Sequence, residues 1–304
     1  MIEKKPEKKD NYLCKMYGYK NARTAFKDIL LNLKNITILI PAFIGFSPKE
    51  GSGVFDPIIE TGIKYEFYKV TDDLFVDVED LKKRVFDHPG KKALLVIHYY
   101  GYVDPQYKKI IKICKENEID IIEDCAHALF TEYCKYSIGK EADYLIYSIH
   151  KLFPFKKGGI LKVRDSKKFL PYHNENMNYQ IFDYEWKKIA DKRIRNAKYL
   201  EKRLEGNKKI KILRRNKEFV DSVPQSFPIL LEEADRFEVY TRMNEIGYGV
   251  VSLYHTLIEP LRNENYFRSK KIADNILNLP LHQDISEEEL GNMCEKLEEL
   301  VNGK

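Results

Sequence analysis

The stretch IDIIEDCAHALF, residues 119–130, decides the fold. Ile119, Ile121 and Ile122 form a short apolar run that ends abruptly in Glu123 and Asp124, with His127 three residues past the aspartate. A run of this length reads as a strand buried within a sheet, and in open parallel sheets the carboxyl ends of strands are where ligands bind. Working outward, ALLVIHYY at residues 93–100 is a nearly continuous apolar strand, and a helical pattern over 105–117 connects the two. On the other side a strand is expected at 144–149, before GGILKVRD. Earlier in the chain the pattern predicts a helix over 22–33, a strand over 36–43, a strand over 65–70 and a helix over 77–86, after a loose polar start at residues 1–12. Strands and helices in alternation specify an α/β fold with a mostly parallel central sheet and helices on both faces.

Beyond about residue 165 the character changes. Residues 182–204 read as one long charged helix, SFPILL as an extended segment, and residues 234–246 as a helix. The last segment, LPLHQDISEEEL, leads into an amphipathic helix that ends near Val301, and Ser286 with Glu289 spells a capping box for it. The expected organisation is a large domain over 1–175 and a smaller α+β domain over 176–304. At 304 residues the chain can bury a core of that extent.

Apolar residues make up 43% and charged residues 33% of the chain, as in an ordinary soluble globular protein. The formal charge is +5, with lysines scattered in pairs such as Lys156-Lys157 and Lys208-Lys209. No basic stripe or binding motif suggests nucleic acid as a partner, whereas the mild surplus suits small anionic substrates. Five cysteines without metal-type spacing suggest neither a disulfide framework nor a metal site, and a reducing cytoplasm fits them. The start MIEKKPEKKDNY lacks the apolar centre of a signal peptide, and the apolar runs are too short to span a bilayer.

Three segments bring polar groups to the strand ends: the Glu123–Asp124–His127 cluster; YLIYSIHKLFPFKKGG, which supplies Ser148, His150, Lys151 and the pair Gly158-Gly159; and the helix start Asn21-Ala22-Arg23-Thr24. Taken singly, each has a plain structural reading. Asp124 is a common turn former, Lys151 a surface lysine, and His127 and His150 satisfied structural histidines. In combination they are the parts of a pyridoxal phosphate site. A lysine forms a Schiff base with the aldehyde, a carboxylate keeps the ring nitrogen protonated, and hydroxyls and helix-terminal amides hold the phosphate.

The same segments resemble the DegT/StrS-like family of pyridoxal phosphate-dependent aminotransferases, of fold type I, many of which act on nucleotide-linked keto sugars. IIEDCAHAL resembles the family's Glu-Asp-Ala-Ala-Gln-Ala strand motif, VIHYYGYVDP the segment before it, and SIHKLFPFKKGG the Ser-to-Lys cofactor segment closed by Gly-Gly. NARTAF stands where the family has Ser-Gly-Thr-Ala-Ala-Leu, and LPLHQDISEEEL resembles its C-terminal segment. The resemblance implies that Lys151 carries the cofactor, Asp124 contacts the ring nitrogen, His127 lies near the ring hydroxyl where relatives have glutamine, and Ser148 contacts the phosphate. It also places Ala22 and Arg23 at the phosphate, and makes Asn178, in MNYQ, a residue lent by the partner subunit of a homodimer. It departs from the family in three places. Ser148 and Lys151 are closer together than in most relatives, Lys157 replaces a glutamate before the Gly-Gly pair, and the position where relatives stack an aromatic on the ring falls near Gly45 and Phe46. The implied reaction is amino transfer, with glutamate as donor and a keto sugar in surface-polysaccharide or secondary-metabolite synthesis as acceptor. Other pyridoxal phosphate chemistry, such as dehydration or desulfuration, is the alternative, as is a non-catalytic binding or regulatory protein on the same fold.

Overall fold

The computed structural model describes residues 15–87, 89–175, 183–214 and 221–303. Its larger sheet has five parallel strands at its centre and far edge: β2 (Thr37–Pro41), β3 (Lys64–Tyr68), β4 (Lys92–Ile97), β5 (Asp120–Asp124) and β6 (Tyr144–Ser148). Two further strands, β7 (Gly159–Val163) and β1 (Lys15–Tyr19), close the near edge antiparallel, giving the order β1-β7-β6-β5-β4-β2-β3. Every residue of β4 is buried, which explains its unbroken apolar spelling: Ala93, Leu95 and Ile97 join one apolar cluster and Leu94 and Val96 another, so no face is left for polar residues. The crossovers between parallel strands are α2 (Phe55–Thr61), α3 (Val78–Asp87), α4 (Tyr107–Glu116) and α5 (Leu129–Lys135). Preceding β2, α1 (Ala22–Asn32) packs across β6 and β7 and against α2.

The strand expected over 93–100 stops at Ile97. The chain then folds into a tight 3-10 turn, Tyr99–Gly101, with Tyr100 in the left-handed region at φ 57°. The apolar spelling continues because Tyr99 and Tyr100 are core residues beneath the strand ends, not because the strand does. Gly101 (φ 88°) is obligatory there: a Cβ would lie 2.5 Å from the Val223 carbonyl and 2.9 Å from the His127 carbonyl. The long helix expected from residue 182 begins at Trp186 as α6 (Trp186–Leu204), and residue 182 itself falls outside the described residues.

The second sheet is antiparallel, β10 (Ile276–Leu279), β9 (Phe227–Leu231) and β8 (Ile210–Ile212) in order, and α7 (Arg236–Glu245), α8 (Phe267–Asn275) and α9 (Glu287–Asn302) pack around it with α6. The capping box at the start of α9 is formed as its spelling predicts. One apolar cluster runs through both sheets, from Ile40, Phe43 and Tyr99 to Phe227, Ile229, Leu257 and Leu297. The segment before α8 is stitched to the loop after β2: Phe46 N donates to the Thr256 carbonyl (2.8 Å) and Ile258 N to the Ile44 carbonyl (3.0 Å). This stitch brings the later part of the chain to the carboxyl ends of the strands.

Candidate active site

The strand ends of β2, β4, β5 and β6 and the start of α1 open on one cleft of about 600 Å3. A larger depression, about 1020 Å3, runs along α4 past Tyr107, Ile111 and Lys112, but none of the strand-end residues lines it. The chemistry therefore belongs to the smaller cleft.

Asp124 ends β5 half-buried at the cleft, and its Oδ1 accepts from the Ala126 backbone N–H at 2.8 Å. Burial pushes its pKa up, opposed by Lys151, by that N–H and by His98. Its neighbour Glu123, fully buried, points to the opposite face, as alternate strand residues must. Glu123 accepts from the Tyr107 hydroxyl (2.7 Å) and the Gly139 N–H (3.1 Å) and pairs with His98 Nε2 (2.8 Å). His98, Glu123 and Cys125 lie close enough to hold a cation, but these bonds already occupy both Glu123 oxygens. The group acts as a brace beneath Asp124.

Lys151 sits in a 3-10 turn, Ile149–Lys151, immediately after β6, and is exposed to the cleft. Its Nζ is 2.9 Å from Nε2 of buried His127. Nδ1 of His127 accepts from the Tyr100 N–H at 3.3 Å, so the neutral ring carries its proton on Nε2 and presents it to the lysine. Burial, reinforced by the Lys151 charge, holds the His127 pKa well below its usual value. Desolvation lowers the pKa of Lys151, while the negative charges of Asp124 and Glu50 raise it; the net direction is down. A neutral imidazole that donates and a partly desolvated amine together favour the uncharged, nucleophilic form of Lys151. His127 is fixed in turn by Tyr100, whose ring lies nearly parallel to it at 6.0 Å and 12°.

The third part of the cleft is the start of α1. Asn21 caps the helix by accepting from Thr24 N at 2.9 Å, which leaves the N–H groups of Ala22 and Arg23 directed out of the first turn. Gly159 on β7 lets the strand press against this turn: a Cβ there would lie 2.4 Å from the Asn21 carbonyl carbon and 2.6 Å from Ala22 N. Ser148, 2% exposed, brings its hydroxyl to the same corner, with Oγ 3.4 Å from His150 Nδ1. The Arg23 side chain turns away to Asp56 (3.3 Å) and the Glu50 carbonyl, so Arg23 offers the corner its backbone while its charge is engaged elsewhere. Lys156 and Lys157 are exposed along the cleft, and neither forms an ion pair among the described residues. Asn178 lies outside the described residues.

Among the cleft residues that the sequence reading did not single out are Glu50 and Tyr254. Neither belongs to a strand-end motif. Glu50 lies in the turn that follows Phe46, and Tyr254 arrives only through the stitch between the two halves.

The donor set fits pyridoxal phosphate. Helix-terminal amides and a serine hydroxyl suit the phosphate, a half-buried carboxylate suits a protonated ring nitrogen, and an amine of lowered proton affinity suits the aldehyde. The volume lies within the roughly 300–1000 Å3 usual for such ligands. When bound, this cofactor supplies an electron sink that stabilises carbanionic character at the substrate's α-carbon. A carboxylate and a lysine at adjacent strand ends, beside a helix-terminal anion corner on a mostly parallel sheet, are the parts of a pyridoxal phosphate site of fold type I.

The family model for the DegT/DnrJ/EryC1/StrS aminotransferase family matches residues 52–169 and 185–298, and the chain belongs to that family. Among curated proteins it is similar to the UDP-4-amino-4,6-dideoxy-N-acetyl-beta-L-altrosamine transaminase of Campylobacter jejuni, at 25% identity over 74% of this chain and 70% of that protein. A shorter match, 26% identical over 40% of this chain and 31% of the relative, is to the spore coat polysaccharide biosynthesis protein SpsC of Bacillus subtilis. Among solved structures, Helicobacter pylori PseC, an aminotransferase of pseudoaminic acid biosynthesis, superimposes with a TM-score of 0.74 at 16% identity, covering 95% of this chain and 87% of that one. DesV of S. venezuelae gives a TM-score of 0.76 at 16% identity, over 94% and 84% of the two chains. At that identity the structural matches speak for the fold.

Proposed function

We propose that the enzyme transfers an amino group from glutamate to a keto group on a nucleotide-linked sugar. The observation that carries this reading is the cation balance of the cleft. The α1 terminus and Ser148 serve the cofactor phosphate without needing a side-chain cation, and Arg23 is engaged with Asp56. Lys156 and Lys157 are then left for a second anion, such as a diphosphate. The C. jejuni relative's name, a UDP-sugar transaminase, supports the same class of acceptor. In this reading Lys151 bonds the cofactor and later moves the proton, Asp124 holds the ring nitrogen, His127 lies near the ring hydroxyl and favours the uncharged form of Lys151, and Ser148, Ala22 and Arg23 hold the phosphate. Asn178 would complete the site of a partner subunit in a homodimer, with 1–175 as the cofactor domain and 176–304 as the smaller one. The four cysteines among the described residues are free, and no helix there is long and apolar enough to cross a membrane, both of which suit a cytoplasmic enzyme.

The test has two halves. Borohydride reduction of the cofactor-loaded enzyme and peptide mapping should put the pyridoxyl mass on Lys151, and finding it on Lys156 or Lys157 would displace the assignment. Glutamate should convert the bound cofactor to its amine form, and nucleotide-linked keto sugars should convert it back. Recovery with small keto acids only would defeat the sugar reading. Lys156→Ala with Lys157→Ala should raise KM far more than it lowers kcat, because phosphate contacts bind substrate and transition state alike. It should also flatten the salt dependence of kcat/KM. Sedimentation of dilute active enzyme should find a dimer, and an active monomer would count against the shared site.

A further inference from the structure

We infer that Tyr254, from the C-terminal half of the chain, is the aromatic wall against which the cofactor ring packs, and that Gly45 is glycine to make room for it. The inference rests on the cofactor reading above and names a contact that reading leaves open. Tyr254 lines the cleft together with Asp124, Ala126 and Lys151. Its backbone is left-handed (φ 65°), a conformation a bulky residue holds only when its surroundings impose it. Here the stitch imposes it: residues 256 and 258 are hydrogen-bonded to the loop after β2, with Gly45 and Leu257 paired as a bridge. The ring is then gripped on several sides, at 5.5 Å from Phe43, 5.6 Å from Tyr99, 6.0 Å from Tyr100 and 6.4 Å from His127, all crossing it at 51° or more. None of these neighbours is stacked flat on it. No hydrogen bond to its hydroxyl occurs among the described residues. Tyr254 and Asp124, the carboxylate assigned to the ring nitrogen, line the same cleft, and burial, aided by the Asp124 charge, raises the phenol's pKa.

Gly45 supplies the second observation. A Cβ on it would lie 2.6 Å from Tyr254 Cδ1 and 3.2 Å from Tyr254 Cα. The gap that a side chain at position 45 would fill is therefore occupied by Tyr254. Phe46, the other aromatic of that loop, is 39% exposed and absent from the cleft lining. An aromatic surface at the strand ends thus comes from the returning chain, and cofactor binding depends on the two halves being stitched together.

The test is titration of apoenzyme with pyridoxal phosphate, read by the dissociation constant and by the visible circular dichroism of the bound cofactor. Tyr254→Phe should bind within about twofold of wild type, whereas Tyr254→Ala and Tyr254→Leu should bind about tenfold more weakly, the scale of one lost aromatic contact. The leucine variant keeps bulk if the alanine variant does not fold. Gly45→Ala should weaken binding by displacing Tyr254, and should cost nothing further in the Tyr254→Ala background. Gly45→Phe in that background should recover part of the loss by placing a ring in the vacated space. Wild-type affinity and dichroism in Tyr254→Leu would overturn the inference, as would a phenylalanine variant as weak as the alanine one. Failure of wild-type protein to take up pyridoxal phosphate would instead overturn the cofactor assignment.

Discussion

In the proposed site Asp124 has two roles: it would face the ring nitrogen, and its charge raises the proton affinity of Lys151, against the desolvation that lowers it. Replacing it with asparagine removes a negative charge at nearly constant shape. The sign for Lys151 is fixed. The charge that favoured the ammonium form is gone, so its pKa falls further and the uncharged amine appears at lower pH. The rate at which apoenzyme couples to pyridoxal phosphate should therefore reach its plateau at a lower pH in Asp124→Asn than in wild type. The half-reaction with glutamate should meanwhile drop by orders of magnitude, because the ring loses the partner that keeps it protonated. A pH profile unmoved by the substitution would show that Asp124 does not reach Lys151. Asp124 and Ser148 were legible in the sequence as positions because each closes a short apolar strand, and Lys151 because it follows β6 by one turn; a strand's end is fixed by local spelling. His127 was legible as a position, but its bond to Lys151 was not, since that depends on β5 and β6 being neighbours. Tyr254 was invisible because it is placed by hydrogen bonds between segments some two hundred residues apart in the chain.

At the scale of elements, the anion corner depends on β7 lying flush against the first turn of α1. Gly159→Ala puts a methyl group within 2.4–2.6 Å of Asn21 and Ala22 backbone atoms, which cannot rotate away as a side chain would. Overpacking of this kind costs about 1–3 kcal/mol. The helix start must shift, and with it the Ala22 and Arg23 amides. The expected result is a lower melting temperature of the apoenzyme together with weaker binding of pyridoxal phosphate. Pyridoxal, which lacks the phosphate, should lose much less affinity, and equal losses for both ligands would argue that the corner does not hold phosphate. The Gly-Gly pair was readable as a motif, whereas the strand it opens was not, because GILKV is short and follows a loop. The same holds for β1, α2, α5 and β10. Elements this short carry few periods, so only some of them, such as β2 and β5, can be read from their apolar runs; the helical or extended state of the others is settled by the neighbours they pair with.

At the scale of the molecule, the alternation in the first half gave the parallel sheet, but nothing in the spelling of the second half announced how it would dock. A single buried cation does much of that work. Arg214 is 2% exposed and donates to the carbonyls of Leu74, after β3, and Tyr102, after β4 (3.0 Å), with its guanidinium 5.0 Å from the Phe75 ring and 5.8 Å from that of Tyr99. Burial lowers its pKa, so its charge is tolerated at a cost that the carbonyls and rings offset. Arg214→Met keeps most of the volume and leaves two carbonyls without their donor, each worth about 1–3 kcal/mol when buried. Arg214→Lys should recover only part, because one ammonium cannot span both acceptors as a planar fork does. Chemical denaturation of the apoenzyme, followed by far-UV circular dichroism and by fluorescence of Trp186 on α6, separates two outcomes. If the apolar cluster that runs through both sheets makes the halves one cooperative unit, both signals shift together to lower denaturant in Arg214→Met, with the lysine variant between. If the halves fold independently, the far-UV signal splits into an early transition and one at the wild-type midpoint, and the Trp186 signal marks the loss of its packing against Phe130, Tyr133 and Phe153. The first outcome is expected, because Tyr99 is shared by the core, by Arg214 and by the aromatic wall of the cleft, so loosening the second half must also loosen the site.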